Sequence, residues 1–283
     1  MFQLLRVSGP PLGLTREHDL VAAPRKGSVD WGGFDRSSYA PEVLTSAARV
    51  WRTRAEQEMH SLALFTELAS QLQTLGAPLD WSGAFSRMIA DEVRHTDLCM
   101  RMAAMLGDEE PVTLDERQLR LFEGPPSRPR VREVIVAAFC IGETVSGRMF
   151  EESYRVATVP LARDVVRAIL VDEAFHSELG WELGALLMRP DGEAFESERS
   201  ALAAALPRLF RHYRHLCLAE PGKTWEFASR AVDDGPNFGA LTEAGYARAF
   251  YEAMETEVVP GLVAIGLPEA EASYATMLAE SPS

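Results

Sequence analysis

The sequence predicts an all-α fold: four long helices in two hairpins joined by one long crossover, followed by additional C-terminal helices. Three observations carry that reading. Apolar residues recur at helical rather than strand spacing over long stretches, and strand signals are scarce. Gly and Pro fall at the ends of those stretches rather than in their middles. The two hairpins also share a residue pattern, so the chain reads as two related halves.

Helix 1 is expected to start near Pro41, which suits a first helical turn, and to run to Leu75, with Gly76 as its stop. GAPLD (76–80) makes the turn, and helix 2 runs from about Trp81 to Leu106, before Gly107. Residues 108–129 contain GPPSRP and two charge clusters and read as a long connection. Helix 3 covers about Val131 to Val156, ATVP turns the chain, and helix 4 runs from Pro160 to Met188. Hairpin, crossover, hairpin is the topology of a four-helix bundle with one long crossover. The chain therefore divides into an N-terminal extension (1–40), the bundle (41–189) and a C-terminal helical extension (190–283). In the last of these, Pro207, Pro221-Gly222 and Pro260 interrupt the helices, and FYEAMETEVVPGLVAIG carries an apolar stripe suited to packing on the bundle.

Composition narrows the function classes. The chain has 283 residues, enough to bury a sizeable core. Its net charge of −14 argues against nucleic acid or an anionic membrane as a main partner. The N-terminus, MFQLLRVSGPPLGL, lacks a basic segment followed by a long apolar one, so no signal peptide is read. No run of about 18 apolar residues exists to span a membrane. Cys99, Cys140 and Cys217 are scattered and form no C-x-x-C, which points to a reducing cytoplasm. Three cysteines are also too few for an internal iron–sulfur or rubredoxin-type site.

The chemistry-bearing signal is a repeated short motif. DEVRH in helix 2 places Asp91 and Glu92 before His95, and DEAFH in helix 4 places Asp172 and Glu173 before His176. Of six His, these are the only two with Glu three residues earlier. On a helix, i and i+3 share a face about one turn apart, so each pair can grip one ion. A single E-x-x-H is weak evidence, because Glu is common in this chain. Two of them at equivalent depth in matching hairpins are much stronger. Helix 1 and helix 3 complete the pattern with EMHSLALF and ETVSGRMF, which align Glu58 with Glu143, Ser61 with Ser146 and Phe65 with Phe150. Between each Glu and the following Asp lie 32 residues (59–90) in the first half and 28 (144–171) in the second.

Glu143 is the most informative of these residues. From Val134 to Gly147 it is the only charged side chain, and its one-turn neighbours are apolar or small. An unpaired carboxylate in such a core costs several kcal/mol. A neutral, hydrogen-bonded Glu is the plain alternative at this one position. It does not serve for four carboxylates on facing helices, whereas two divalent cations balance four carboxylates and two neutral imidazoles directly.

A Glu followed about thirty residues later by D-E-x-R-H, and then repeated, resembles the ferritin-like di-iron carboxylate superfamily, in its oxygenase and ribonucleotide reductase-like branch. The resemblance covers residues 41–189 and is specific in six positions. It implies a ferritin-like four-helix bundle with a dinuclear centre. One metal would be held by Glu58, Glu92 and His95, and the other by Glu143, Glu173 and His176. Glu92 and Glu173 would bridge and stand nearest the chemistry. Asp91 and Asp172 would orient the histidines, crosswise to His176 and His95. Phe175 stands where the first motif has Arg94, so any role of Arg94 is expected to be one-sided.

Several nearby residues compete or assist. Glu56 and His60 flank Glu58 at two positions' distance, about 200° around the helix, so they cannot share its face. Cys99 stands one turn after His95, where the ribonucleotide reductase pattern has a radical tyrosine. Helix 2 has no Tyr. Cys99 and Cys140 are candidates to line the pocket beside the metals, against a plainer reading as small apolar core residues. His212 and His215 in RLFRHYRH could form a second site, although a basic or docking face suits that stretch better.

The expected function is O2-dependent oxidation of a small or carrier-bound organic substrate by hydroxylation, N-oxygenation or desaturation. Two irons are the expected cofactor. Mn/Fe and Mn/Mn pairs suit the same ligands. Electrons would come from a separate reductase or from the substrate. The rival classes are a ferroxidase, iron-storage or manganese-catalase-like protein, and a non-catalytic helical interaction protein. The added segments at both ends suit a covered substrate pocket or the contacts of a homodimer.

Overall fold

The computed structural model describes residues 29–110, 112, 125–217 and 235–280. Among these the regular structure is entirely helical. The expected start of the chain (1–28), most of the 108–129 connection and Pro221-Gly222 lie outside the described residues.

Four long helices come first. Helix α1 is Pro41–Thr74, with Pro41 in its first turn and Gly76 (φ 78°) just past its end. Helix α2 is Leu79–Leu106. Leu79 and Asp80, expected in the turn, belong to it because Pro78 sets the entry and Asp80 places an acid in the first turn. Gly107, at φ 103°, closes α2 in the left-handed conformation that an L side chain resists. Helix α3 starts at Arg128, earlier than expected, because Pro129 suits a first turn. It runs through Arg128–Val134, a π-helical stretch Ile135–Glu143, and Thr144–Val156. Helix α4 is Pro160–Leu187.

Two apolar layers order these helices. One contains Trp51 and Ala55 of α1, Leu98 and Met102 of α2, Phe150 of α3, and Val165 and Ile169 of α4. The other contains Phe65 and Leu68 of α1, Phe85 and Met88 of α2, Ile135 and Phe139 of α3, and Leu179 and Leu183 of α4. Reading residue numbers between the layers gives the directions: α1 and α4 run one way, α2 and α3 the other. All six expected ligands fall, in sequence, between the two layers.

The C-terminal segments form α5 (Phe195–Cys217), α6 (Glu243–Ala253, a π-helical stretch Met254–Val258, and Val259–Ala264) and α7 (Glu269–Ala279). The expected breaks at Pro207 and Pro260 do not occur. Pro207 sits inside α5, flanked by buried Leu206 and Leu209, whose packing offsets the missing N–H. Pro260 follows the wider π turn, which makes room for its ring. These helices share a third apolar cluster with α3, joining Phe210, Phe250, Met254 and Leu262 to Ile141 and Val145.

Helices α3 and α4 approach closely at Gly180, where a Cβ would stand 2.7 Å from Phe139 Cβ and 3.1 Å from its carbonyl carbon. Because backbone lies in the way, Gly180→Ala is expected to push α3 and α4 apart and destabilise the chain by about 1–3 kcal/mol. Urea unfolding measures this, and an unchanged midpoint would contradict the packing described.

Candidate metal centre

Glu58, Glu92, Glu143 and Glu173 project from α1, α2, α3 and α4 into the space between the two apolar layers, joined there by His95 and His176. Each histidine is fully buried, and each glutamate is buried as well. The side chains gather into two groups of four: Glu58, Glu92, His95 and Glu173, and Glu92, Glu143, Glu173 and His176. Within each group one ligand atom per residue lies within 4.8 Å of the others. Glu92 and Glu173 belong to both groups.

The two halves are arranged alike. His95 Nδ1 lies 3.5 Å from Glu58, 3.9 Å from Glu92 and 3.3 Å from Glu173. His176 Nδ1 lies 3.2 Å from Glu92, 3.3 Å from Glu143 and 3.9 Å from Glu173. On the far side of each ring is an aspartate from the opposite motif. His95 Nε2 is 3.3 Å from Asp172, and His176 Nε2 is 3.7 Å from Asp91. Asp172, by accepting the Nε2 proton of His95, leaves that ring's Nδ1 lone pair facing the glutamates, the tautomer a metal ligand needs, whereas Asp91 stands beyond hydrogen-bond distance of His176 Nε2.

Each aspartate is held in turn by an arginine. Arg94 pairs with Asp172 and also donates to the carbonyl of Ala168. Arg87 pairs with Asp91 at 3.3 Å, with its guanidinium 4.2 Å above the Phe175 ring. Arg94 thus serves one side only, as its unmatched place in the repeat implies, and Arg87, from a different position, supports the other aspartate. Arg87 carried a readable signal, an Arg four residues before an Asp on one helix. It lies outside the repeated motif, so alignment of the halves does not find it.

The groups fit a pair of cations. Glu92 Oε2, Glu173 Oε2, His95 Nδ1 and His176 Nδ1 are buried without a hydrogen-bond partner. Orphaned buried acceptors of this kind are rare unless an ion or water serves them. Among the described residues no Lys or Arg pairs with any of the four glutamates. Six oxygen and imidazole donors suit divalent iron, manganese or zinc.

In the metal-free chain, protons stand in for the ions. Burial pushes the Glu143 carboxyl up to about 7, with the neighbouring Glu173 carboxylate adding to the rise. Burial likewise raises Glu92 well above the usual carboxylate range, against the pull of His176. Burial also works to raise Glu173, but the close His95 and His176 imidazoles outweigh it and hold it low. Burial alone would lower both histidines. The surrounding carboxylates, Asp172 and Glu173 for His95, Asp91 and Glu143 for His176, instead raise them well above the usual imidazole value.

The remaining candidates are distributed as follows. Cys99 is buried in the apolar layer below the carboxylates, whose field adds to burial in raising its thiol. Cys140 does not join the site. It belongs to the cluster under the C-terminal helices, and its thiol donates to the carbonyl of Gly180 at 3.4 Å. Residues three apart share a face of an α-helix, but Cys140 and Glu143 lie in the π-helical stretch, whose wider turn separates them, and Cys140 faces the cluster with α5 and α6. Glu56 and His60 take no part in either group. Around His212 and His215, Arg208 pairs with Glu133, and Arg211 with Glu280. That basic stretch ties α5 to its neighbours. No third metal-compatible group occurs among the described residues.

A cavity of about 220 Å³ opens beside the centre. Glu58 lines it, together with Ser61, Gly142 and Ser146, so it reaches the α1 and α3 side of the site. Helix α1 meets α3 chiefly at Arg128–Val134, and toward the opposite layer Tyr213 and Tyr246 of the C-terminal helices complete the wall. Cys99 and Cys140, the lining candidates that the sequence offers, are not among the residues of this wall. Comparisons with protein-family models, curated proteins and solved structures gave no match.

The pKa directions set a pH test. Histidines raised above 6.5 stabilise the metal-free fold below that value and lose this contribution as pH rises through their folded pKa. Glu143, raised from 4.5 to about 7, favours the fold at low pH and penalises it increasingly across that interval. Metal bound only to the folded chain stabilises it by mass action, and fewer competing protons strengthen that binding at higher pH. The difference in Tm between metal-loaded and metal-free chain should therefore widen from about pH 5 to pH 8. Scanning calorimetry measures it, and a constant or shrinking difference would count against a buried metal centre.

Proposed function

We propose that the chain is a ferritin-like dinuclear iron protein that uses O2 to oxidise a small or carrier-bound organic substrate. The observation that carries this reading is the overlap of the two ligand groups at Glu92 and Glu173, one from each hairpin. Two carboxylates shared between two groups of four suit a pair of neighbouring ions. The parallel course of α2 and α3 supports the bundle part of the proposal. Helix α2 ends in one apolar layer and α3 begins in the other, the placement expected of a bundle with one long crossover.

Bound iron supplies the redox and O2 chemistry, and manganese in one or both positions suits the same donors. The chain's own residues prepare the place. Arg94 with Asp172, and Arg87 with Asp91, hold the two rings so that Nδ1 faces inward. The apolar layers above and below exclude water, which strengthens every electrostatic interaction between them. Glu58, on the cavity wall, and Glu143, flanked by Gly142 and Ser146 of that wall, place the open side of the centre toward a substrate. Electrons come from a separate reductase or from the substrate itself.

The cavity favours oxidation of an organic molecule over iron storage or peroxide disproportionation, which need no pocket beyond the metals and water. Anaerobic loading with ferrous iron, followed by exposure to O2 in an oxygen electrode, separates the three. The proposal expects about two irons per chain and O2 consumption that stops once those irons are oxidised, until reductant and substrate are supplied. Continued oxidation of added iron into a large cage would establish storage. Rapid O2 evolution from peroxide by the manganese-loaded chain would establish a catalase.

A further inference from the structure

The cavity beside Glu58 contains a cation that no carboxylate of the described residues answers. Arg54 stands four residues before Glu58, on the same face of α1 and one turn away. It lines the cavity, and only 7% of it is exposed. Its contacts among the described residues are with neutral groups. Nη2 donates to Ser153 Oγ and to the carbonyl of Gly239, each at 2.7 Å, and the guanidinium also reaches the Tyr246 hydroxyl. The guanidinium carbon lies 4.8 Å from the centre of the Trp51 ring and 5.6 Å from that of Phe150. Nη1 is buried with no hydrogen-bond partner. No carboxylate pairs with Arg54 among the described residues.

A guanidinium taken out of water costs several kcal/mol unless an anion answers it. The four glutamates do not fill that role in the loaded protein, because two divalent cations neutralise them. A fork of donors, Ser153, and the Tyr246 hydroxyl instead form a receptor for a planar anion. Beyond it, Val50, Met149, Phe150 and Leu216 give the cavity an apolar wall. One helical turn, about 5.4 Å, separates the Arg54 and Glu58 backbones, so a ligand of a few carbons spans from one side chain to the other.

We propose that this cavity binds a small organic acid, its carboxylate paired with Arg54 and its apolar body extending toward Glu58. The proposal names the substrate class of the centre above and rests on that reading for the reaction, although not for the binding.

Three probes of matched size test it by calorimetry on the metal-loaded chain: benzoate, benzyl alcohol and benzylamine. Metal content is measured on the same samples. Benzoate should bind saturably, with the alcohol and the amine at least about tenfold weaker. Arg54→Gln should weaken benzoate by about tenfold or more while metal content stays at the wild-type value. Should Arg54→Gln not fold, Met149→Trp, which keeps Arg54 and fills the apolar end, must abolish benzoate binding. Three results overturn the proposal: no saturable benzoate binding at millimolar concentration, equal binding of the alcohol, or benzoate binding that survives the substitution tested. Survival in Arg54→Gln would assign the carboxylate to the metals. A chain that lacks metal but still prefers benzoate through Arg54 would sink the dinuclear reading alone. A chain with two metals and no benzoate preference would sink the organic-acid proposal alone.

Discussion

Four buried carboxylates share one space between two apolar layers, and among the described residues no arginine or lysine pairs with any of them. That constraint shapes the rest of the structure. A lone buried carboxylate can protonate, and Glu143 shows that tendency with a value raised to about 7. Four together cannot all be relieved this way while two imidazoles point their Nδ1 atoms at them. Two ions of charge +2 relieve the whole set at once. The Asp–His contacts, the Arg–Asp pairs behind them and the apolar layers on either side are all arranged around that space.

The helices divide the work unevenly. Helices α2 and α4 carry the Asp-Glu-x-x-His motifs and pack against each other, so their glutamates and histidines are the most deeply buried members. Helices α1 and α3 each carry one glutamate, slightly more exposed, and between them lies the cavity. The π-helical stretch of α3 ends at Glu143, and wide turns of this kind often accompany functional side chains. Helix α5 then approaches so closely that a Cβ on Gly142 would stand 2.7 Å from the Tyr213 hydroxyl. The C-terminal helices are thus part of the cavity wall as well as a cover for α3.

Much of this was readable before any coordinates. The extents of the long helices follow from Pro at first turns and Gly at ends, and the six clustered residues follow from a pattern present in both hairpins. What escaped has physical reasons. Arg87 pairs with Asp91 on its own helix, a spacing that is readable locally, but it lies outside the repeated motif, and the contact of that aspartate with the opposite histidine runs between helices, which no local pattern encodes. Of the two readings open for Cys140, pocket lining and small core residue, the structure shows the core one, because the π-helical stretch changes which residues share the face of Glu143. Pro207 was read as a break because its cost is local, while the packing that offsets it comes from distant residues. The cavity and the isolated charge of Arg54 depend on how α1 and α3 diverge, which periodicity does not report.

The central claim is that two metal ions occupy the space between Glu92 and Glu173. X-ray anomalous scattering from crystals of the metal-loaded chain, collected at the edge of the loaded metal, tests it most directly. The account predicts two peaks about 3.5–4 Å apart. One should lie against Glu58 and His95 and the other against Glu143 and His176, with both bridging glutamates between them. A single peak, or peaks confined to surface carboxylates, would contradict it.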